Sequence, residues 1–183
     1  MLPYLEDAHP MSKWLGQRNL ARQYDFMNTA FSLWQTHGQK KPSLDFLKDL
    51  NFYAVHHLSP KPGVFRNDFQ YNVVITGSSH KPPPYQDVEA QMAKFLVNLH
   101  NLYDDENPLV VAAYALWRLN WVHPFAQGNG RTSRALCYFL ICLKFNKWFA
   151  GTPLHELIRL NRDQYCELLK TTDASSTEVG LAD

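Results

Sequence analysis

Cysteine is scarce in this sequence, and its few cysteines form no pattern that binds a metal or builds a disulfide framework. The 183 residues contain three of them, Cys137, Cys142 and Cys166. None forms a C-x-x-C pair, and Cys137 and Cys142 lie five apart in a helix-like stretch, which is not a metal-ligand spacing. We therefore expect free, buried thiols in a reducing compartment.

Long hydrophobic runs and an excess of charge are missing as well. The longest apolar run, Leu109–Trp117, is too short to span a bilayer, and the N-terminus lacks the basic segment and apolar run of a signal peptide. A net charge of +1 indicates no broad basic surface, so nucleic acid is a poor candidate for the main partner. These absences predict no membrane association and a cytoplasmic protein, or an effector exported without a Sec signal.

The residues that are abundant favour a helical domain. Apolar residues make up 45% and charged residues 19%, which is typical of a globular chain with one core. Apolar side chains recur at spacings of three and four, as in amphipathic helices. The predicted helices are Ser12–Trp34, one or two within Ser43–Leu58, Val88–Tyr103, Leu109–Val122, Asn129–Phe145, Leu154–Leu160 and Asn161–Thr171. Leu109–Val122 is apolar nearly all round and should be the central buried helix.

One segment differs in kind from these helices. Phe65–Ile75 is rich in Phe, Tyr, Val and Ile, and it leads into Thr76 and Gly77. Aromatic and β-branched residues followed by turn residues predict a β-hairpin, which is the only strand prediction for this chain.

The most informative stretch is Val122–Arg134, with the sequence VHPFAQGNGRTSR. Pro124 should end the preceding helix, because its ring removes a donor and clashes with the turn before it. Gly128 and Gly130 allow a tight turn that exposes backbone N–H groups. The next helix should begin near Asn129, so the positive end of its dipole faces the loop. A helix start of this kind is an anion-binding site, here called the cradle, and phosphate is the anion that it most often binds.

Three charged or basic side chains flank this cradle. Arg131 and Arg134 lie three apart, so they are expected to share one face of the first helical turn above the bound phosphate. His123 lies on the other rim of the loop. Its near-neutral ordinary pKa suits the removal of a proton from a group that attacks the phosphate.

The run HPFAQGNGRTSR resembles the signature of the Fic family, HPFx(D/E)GNGRxxR. The matching positions are His123, Pro124, Phe125, Gly128, Asn129, Gly130, Arg131 and Arg134. PGVFR at 62–66 and VITG at 74–77 are similar to the family's flap segment. The resemblance implies a mainly α fold, a Fic-type helical bundle with a small β-hairpin flap beside the active-site loop. It would form a single Fic-like domain over residues 1–183, with N-terminal helices at 1–53, a Fic core at about 54–172 and a frayed tail at 173–183.

The resemblance also implies an activity, that of a protein adenylyltransferase. Members of the family transfer AMP from ATP to a Ser, Thr or Tyr hydroxyl of a target protein. His123 would be the general base, and a target protein would be held by the flap at Val74, Ile75, Thr76 and Gly77. The implied nucleotide-binding residues are Gln127, Gly128, Asn129, Gly130, Arg131, Arg134 and, near the base, Tyr165.

One position departs from the family pattern: Gln127 stands where the family has the acid that holds Mg²⁺. A carboxamide oxygen can ligate Mg²⁺ but brings no charge, so its affinity should be lower. Three outcomes are open. Mg²⁺ arrives already bound to ATP and Gln127 only positions it, which we favour; the loop transfers another phosphate-linked group; or the chain is a weakly active or non-catalytic nucleotide-binding regulator.

Many family members also carry an inhibitory helix with the pattern (S/T)-x-x-x-E-(G/N), whose glutamate pairs with the second arginine of the motif. The sequence contains no such run, and Ser175–Glu178 comes near it with the wrong spacing. The resemblance therefore implies a separate inhibitory protein, an inhibitory helix on another part of the protein, or a different form of control. In each case Arg134 is expected to reach the γ-phosphate.

Overall fold

The computed structural model describes residues 4–6, 8–39, 41–68, 73, 80–150 and 154–178. Over these ranges the chain forms seven α-helices and a 3-10 turn at Tyr85–Asp87. The helices are α1 Ser12–His37, α2 Leu44–Val55, α3 Val88–Asp105, α4 Pro108–Val122, α5 Asn129–Lys144, α6 Leu154–Leu160 and α7 Arg162–Glu178. The prediction of a mainly α fold is confirmed.

The helix starts follow from local side-chain chemistry. At the start of α2, Ser43 accepts a hydrogen bond from the backbone N–H of Phe46 at 3.1 Å. At the start of α4, the Asn107 side chain accepts from the backbone N–H of Leu109 at 2.8 Å, and Pro108 occupies the first helical position. Both caps satisfy donors that the helix itself cannot pair, which contributes about 1 kcal/mol each.

Helices α4 and α5 form the central pair of the fold. Helices α1, α2 and α6 pack on α5, and α3 and α7 pack on α4. The fully buried side chains between them include Leu47, Leu50, Met92, Phe95, Leu99, Leu119, Leu136, Phe139 and Leu140. Each contributes roughly 1.5–3 kcal/mol by leaving water. This core holds the end of α4 and the start of α5 side by side, with the glycine-rich loop between them.

Helix α4 is the central helix that the sequence predicted, but its first turn is exposed. Leu109 and Val110 are 61% and 47% exposed, because the helix emerges from between its neighbours at this end. Its single charge is buried instead: Arg118 is 2% exposed. The Arg118 guanidinium lies 4.1 Å from the centre of the Trp121 ring and donates to Gln91 Oε1 at 2.7 Å. A cation of this kind can stay inside when it has an aromatic face and an acceptor.

The C-terminal expectation also needs correction. Helix α7 continues through Asp173 to Glu178, where a frayed tail was expected from residue 173. Asp173 explains part of the difference, because its Oδ1 accepts a hydrogen bond from Trp117 Nε1 at 2.7 Å and so ties α7 to α4. Residues 179–183 lie outside the described ranges.

Residues 69–72 and 74–79 of the predicted hairpin lie outside the described residues. This holds for all four expected flap residues, Val74, Ile75, Thr76 and Gly77. At the described start of the segment, Phe65 forms an isolated antiparallel bridge with Phe125 in the glycine-rich loop.

The prediction of buried thiols is confirmed for two of the three cysteines. Cys137 and Cys142 are buried on α5, Cys166 is partly buried on α7, and all three are free. None of the described helices combines the length and apolar character that crossing a membrane requires.

Candidate active site

Helix α4 ends at His123 in a conformation that few side chains adopt. Its φ is 50° and its ψ is 56°, in the left-handed region, and its N–H donates to the carbonyl of Leu119 at 3.1 Å. A non-glycine residue in this region costs roughly 1–2 kcal/mol, so its surroundings must hold it there. Pro124 then prevents the helix from continuing.

The Asn120 carbonyl determines which nitrogen of His123 is basic. Nδ1 of the imidazole lies 3.3 Å from this oxygen. A carbonyl oxygen only accepts, so Nδ1 carries the hydrogen and Nε2 keeps the lone pair. The Asn120 carboxamide donates to Ser133 Oγ at 2.8 Å and to the Tyr165 hydroxyl at 3.2 Å. One residue therefore orients the imidazole and links the end of α4 to α5 and α7.

The His123 imidazole is neutral at neutral pH. Burial lowers the pKa of His123 to about 4, and nearby Arg66 and His80 act in the same direction, against the hydrogen bond with Asn120. A general base must be unprotonated before it can accept a proton. His123 meets this condition throughout the physiological pH range.

The Asn129 carboxamide closes the loop on itself. It accepts from the backbone N–H of Phe125 at 2.9 Å and donates to the carbonyl of Phe125 at 2.7 Å. Asn129 is 2% exposed, and Phe125, 1% exposed, is the apolar anchor beneath the loop. Because both ends of the carboxamide bond to Phe125, Asn129 has one side-chain N–H and its backbone N–H left to offer a phosphate. This narrows the role that the sequence suggested for it.

Gly128 lies where a side chain has no room. Its φ is 79°, and a β-carbon added there would come within 2.4 Å of Val55 Cγ1 and 3.1 Å of Asn51 Nδ2, both on α2. The glycine therefore lets the loop pack against α2. It also leaves the start of α5 without a capping side chain, so the N–H groups of the first turn keep their partial positive charge for an anion.

Asn51 holds this arrangement from the α2 side and was not among the predicted site residues. Its Nδ2 donates to the carbonyl of Gln127 at 2.9 Å and to Thr132 Oγ1 at 3.1 Å, while its Oδ1 accepts from the Gly63 N–H at 3.0 Å. Asn51 is 1% exposed. It could not be found from a motif, because its partners lie far along the chain.

The two arginines of the motif contact different helices. They were expected to share one face, but Arg131 Nη1 donates to the carbonyl of Ala54 on α2 at 2.6 Å. Arg134 hydrogen-bonds with Tyr165 on α7. Its guanidinium folds back over Gly130, where a β-carbon would come within 2.9 Å of Nη1. The second glycine of the motif therefore makes room for the second arginine.

A tyrosine-rich cluster surrounds Arg134. Burial lowers the pKa of Arg134, whereas the neighbouring Tyr165 and Tyr24 raise it. Burial also raises the pKa of both tyrosines to about 12, so both hydroxyls stay protonated at neutral pH. The Tyr24 hydroxyl lies 3.4 Å from His155 Nδ1. Tyr165, expected near the base of a nucleotide, thus lies against the cation expected at its terminal phosphate.

The loop offers no carboxylate for a metal ion at the position where the family pattern has one. Gln127 is partly buried, and its backbone carbonyl is taken by Asn51. In the described part of the chain no three His, Cys, Asp or Glu residues cluster in a way that could hold a metal ion. A neutral carboxamide does not fit a protein-held Mg²⁺ as a carboxylate would.

This arrangement, a neutral histidine at the end of one helix and a glycine-rich start of the next, matches a known family. The chain belongs to the Fic/DOC family, whose model matches residues 41–141, more than half of the chain. It is 32% identical over 123 residues to the protein adenylyltransferase Fic of Drosophila persimilis and 32% identical over 129 residues to that of Drosophila mojavensis. These matches cover 67% and 70% of the chain but 22% and 24% of the relatives, so the chain spans about a quarter of their length.

Solved structures share the fold. A Fic family protein from Desulfovibrio desulfuricans G20 matches with a TM-score of 0.69 at 22% identity, over 92% of this chain and 48% of that one. Residues 134–508 of Fic-1 from C. elegans match with a TM-score of 0.66 at 21% identity, over 88% of this chain and 45% of that one. At these identities the likeness concerns the fold alone.

Proposed function

We propose that this chain is a protein adenylyltransferase, which transfers AMP from ATP to a Ser, Thr or Tyr hydroxyl of a target protein. The relatives named protein adenylyltransferase support the reaction class. The observation that carries the proposal is the state of His123. Its imidazole is neutral, with Nδ1 bonded to a carbonyl and Nε2 basic, and the loop that follows it leads to the uncapped start of α5.

In the proposed reaction His123 Nε2 accepts the proton of the target hydroxyl. The freed oxygen forms a bond to the α-phosphorus of ATP as the bond to the β-phosphate breaks, and pyrophosphate leaves. A positioned base typically contributes 10²–10⁴-fold to such a step. The left-handed backbone at His123 supports the assignment, because strained backbone conformations of this kind cluster at functional sites.

The triphosphate would lie at the start of α5. Backbone N–H groups from Gly128 to Arg131 would bind its oxygens, and Arg134 would neutralise charge on the leaving pyrophosphate. Arg131 contributes positive charge from the α2 side, where Ala54 holds it. In this proposal Mg²⁺ arrives as the counter-ion of ATP, since Gln127 does not fit as its protein ligand.

Gln127 also favours a second candidate, a weakly active or non-catalytic Fic-like domain that binds nucleotide, or one that transfers another phosphate-linked group. Without a protein-held cation the departure of pyrophosphate loses electrostatic help. A target protein held by the flap, and a separate inhibitory protein or helix, belong to the proposal as partners.

The test uses ATP labelled at the α-phosphate, candidate target proteins, and intact-mass measurement of the products. We expect label on protein from α-labelled ATP and none from γ-labelled ATP, with a 10²–10⁴-fold loss in His123→Ala. The matched control is His100→Ala on α3, since His100 bonds the carbonyl of Pro42 outside the loop. Nucleotide binding without label over hours would support the regulator, and a mass increase from another nucleotide would support a different donor.

A further inference from the structure

Arg66 is an arginine buried against the end of α4. It is 2% exposed, and burial lowers its pKa. Its Nε donates to the carbonyl of His123 at 2.8 Å, and its Nη2 donates to the carbonyls of Val122 at 3.1 Å and Pro83 at 2.5 Å. The planar fork of an arginine can reach several acceptors at once, which the single ammonium of a lysine cannot do.

Two of the three carbonyls that the Arg66 side chain binds, those of Val122 and His123, lie at the left-handed end of α4. Val122 is the last residue of α4, and His123 is its C-cap. Helix C-termini carry partial negative charge, so a buried cation there both pairs these carbonyls and balances the dipole. A residue at φ 50° needs such support, since its conformation costs roughly 1–2 kcal/mol.

The backbone of the same segment holds the next two residues of the loop. The N–H of Arg66 donates to the carbonyl of Pro124 at 2.8 Å, and Phe65 bridges to Phe125. The Phe65 and Phe125 rings lie 5.1 Å apart between centroids. Side chain and main chain of one short segment therefore contact every residue from Val122 to Phe125.

We propose that Arg66 is a positioning residue for the base: its fork holds His123 in the left-handed conformation and ties the end of α4 to Pro83. The inference rests on the proposed function of His123. Arg66 precedes and Pro83 follows the stretch expected to hold the target.

A positioning role and a purely structural role predict different effects of losing Arg66 on the kinetics and on the pKa of His123. Arg66 acts on the base and leaves the start of α5 untouched, so kcat should fall more than the KM for ATP rises. A misplacement of about 1 Å can cost about 10²-fold in rate. The pKa of His123 should rise when Arg66 is lost, because a positive neighbour and part of the burial disappear. His80 is another titratable neighbour that acts on this ring.

The experiment compares wild type with Arg66→Met and Arg66→Lys, using protein labelled with ¹⁵N in histidine. Ring-nitrogen shifts report both the pKa of His123 and its tautomer. We expect a higher pKa of His123 in Arg66→Met than in wild type and a loss of the pure Nδ1–H form. Arg118→Met is the matched control, since Arg118 is equally buried but bonds Gln91 away from the loop. It should lower Tm without moving the His123 titration.

Two results would overturn the inference. One is an Arg66→Met protein whose Tm falls as in Arg118→Met while the pKa and tautomer of His123 stay as in wild type. If Arg66→Met does not fold, Arg66→Lys decides: an unchanged titration and tautomer of His123 contradict a positioning role, and a mixed tautomer supports it. The titration needs no transfer activity, so an inactive wild type would count against the proposed function and leave this test intact.

Discussion

Replacing Gly128 with alanine tests whether the loop depends on close packing against α2. The new methyl group would lie 2.4 Å from Val55 Cγ1, far inside contact distance. Val55 is fully buried, so it cannot swing into solvent. Its neighbour Asn51, 3.1 Å from the methyl position, is fixed by hydrogen bonds to Gln127, Thr132 and Gly63. Something in the loop or in α2 must therefore shift.

The magnitude follows from two separate costs. The left-handed backbone at φ 79° costs a β-carbon roughly 1–2 kcal/mol. Overpacking a filled site typically costs about 1–3 kcal/mol more. We expect Gly128→Ala to lower the free energy of unfolding by about 2–5 kcal/mol.

Gly38 provides a matched control. Its φ is 70°, yet a β-carbon there would have nothing within 4 Å. Gly38→Ala should therefore cost only the backbone term, roughly 1–2 kcal/mol. Both substitutions narrow the unfolded ensemble equally, so that effect cancels in the comparison.

The assay is urea unfolding of both variants and wild type, with the transition followed by circular dichroism. Gly128→Ala should be less stable than Gly38→Ala by about 1–3 kcal/mol, the overpacking cost alone. Equal destabilisation of the two variants would refute the packing argument and would mean that the glycine serves the backbone turn alone.

Three further outcomes are expected. Gln127→Glu should raise Mg²⁺-dependent transfer, measured with α-labelled ATP, and unchanged rates would count against a metal role at this position. The transfer rate of wild type, measured against pH, should stay level down to about pH 5 and fall towards pH 4, because His123 must be neutral and burial lowers its pKa to about 4; half-loss near pH 6.5 would contradict this. Asn129→Asp should be less stable than wild type by about 1–3 kcal/mol, since a carboxylate cannot donate to the Phe125 carbonyl and leaves two oxygens facing each other. Urea unfolding checks it, with exposed Asn28→Asp as control.

The helices could be predicted from the sequence because their determinants are local. Periodic apolar residues, the Ser43 cap and the proline that starts α4 all act within a few positions. The burial of Arg118 could not be predicted in this way. It depends on Gln91 on a neighbouring helix, and the sequence around a single charge in an apolar run does not indicate which residue will pair with it.

The candidate site was predictable where the motif is contiguous and not where other helices complete it. His123 and the glycine-rich start of α5 lie within a dozen positions, so their juxtaposition follows from two helix ends meeting at one loop. The divergence of Arg131 and Arg134 depends on Ala54 and Tyr165, which lie on other helices. The spacing of residues on a helix gives only the direction in which each side chain leaves the backbone. For a long side chain such as arginine, the acceptors on neighbouring helices decide where the guanidinium lies.

Three asparagines make the loop rigid, and this bears on how it could work. Asn51 fixes it to α2, Asn120 fixes the end of α4 to α5 and α7, and Asn129 closes it internally. Their side-chain amides are used inside the protein, so a nucleotide would meet mainly backbone N–H groups, the Arg134 guanidinium and the His123 imidazole. Groups held in place before the substrate arrives need no rearrangement as charge moves to the leaving pyrophosphate, which is the condition under which fixed dipoles stabilise a transition state most strongly. Because Gln127 replaces the metal-binding acid, this loop depends more on fixed dipoles than a loop that holds a cation. The three fixed amides are consistent with catalysis at such a loop and also with tight nucleotide binding.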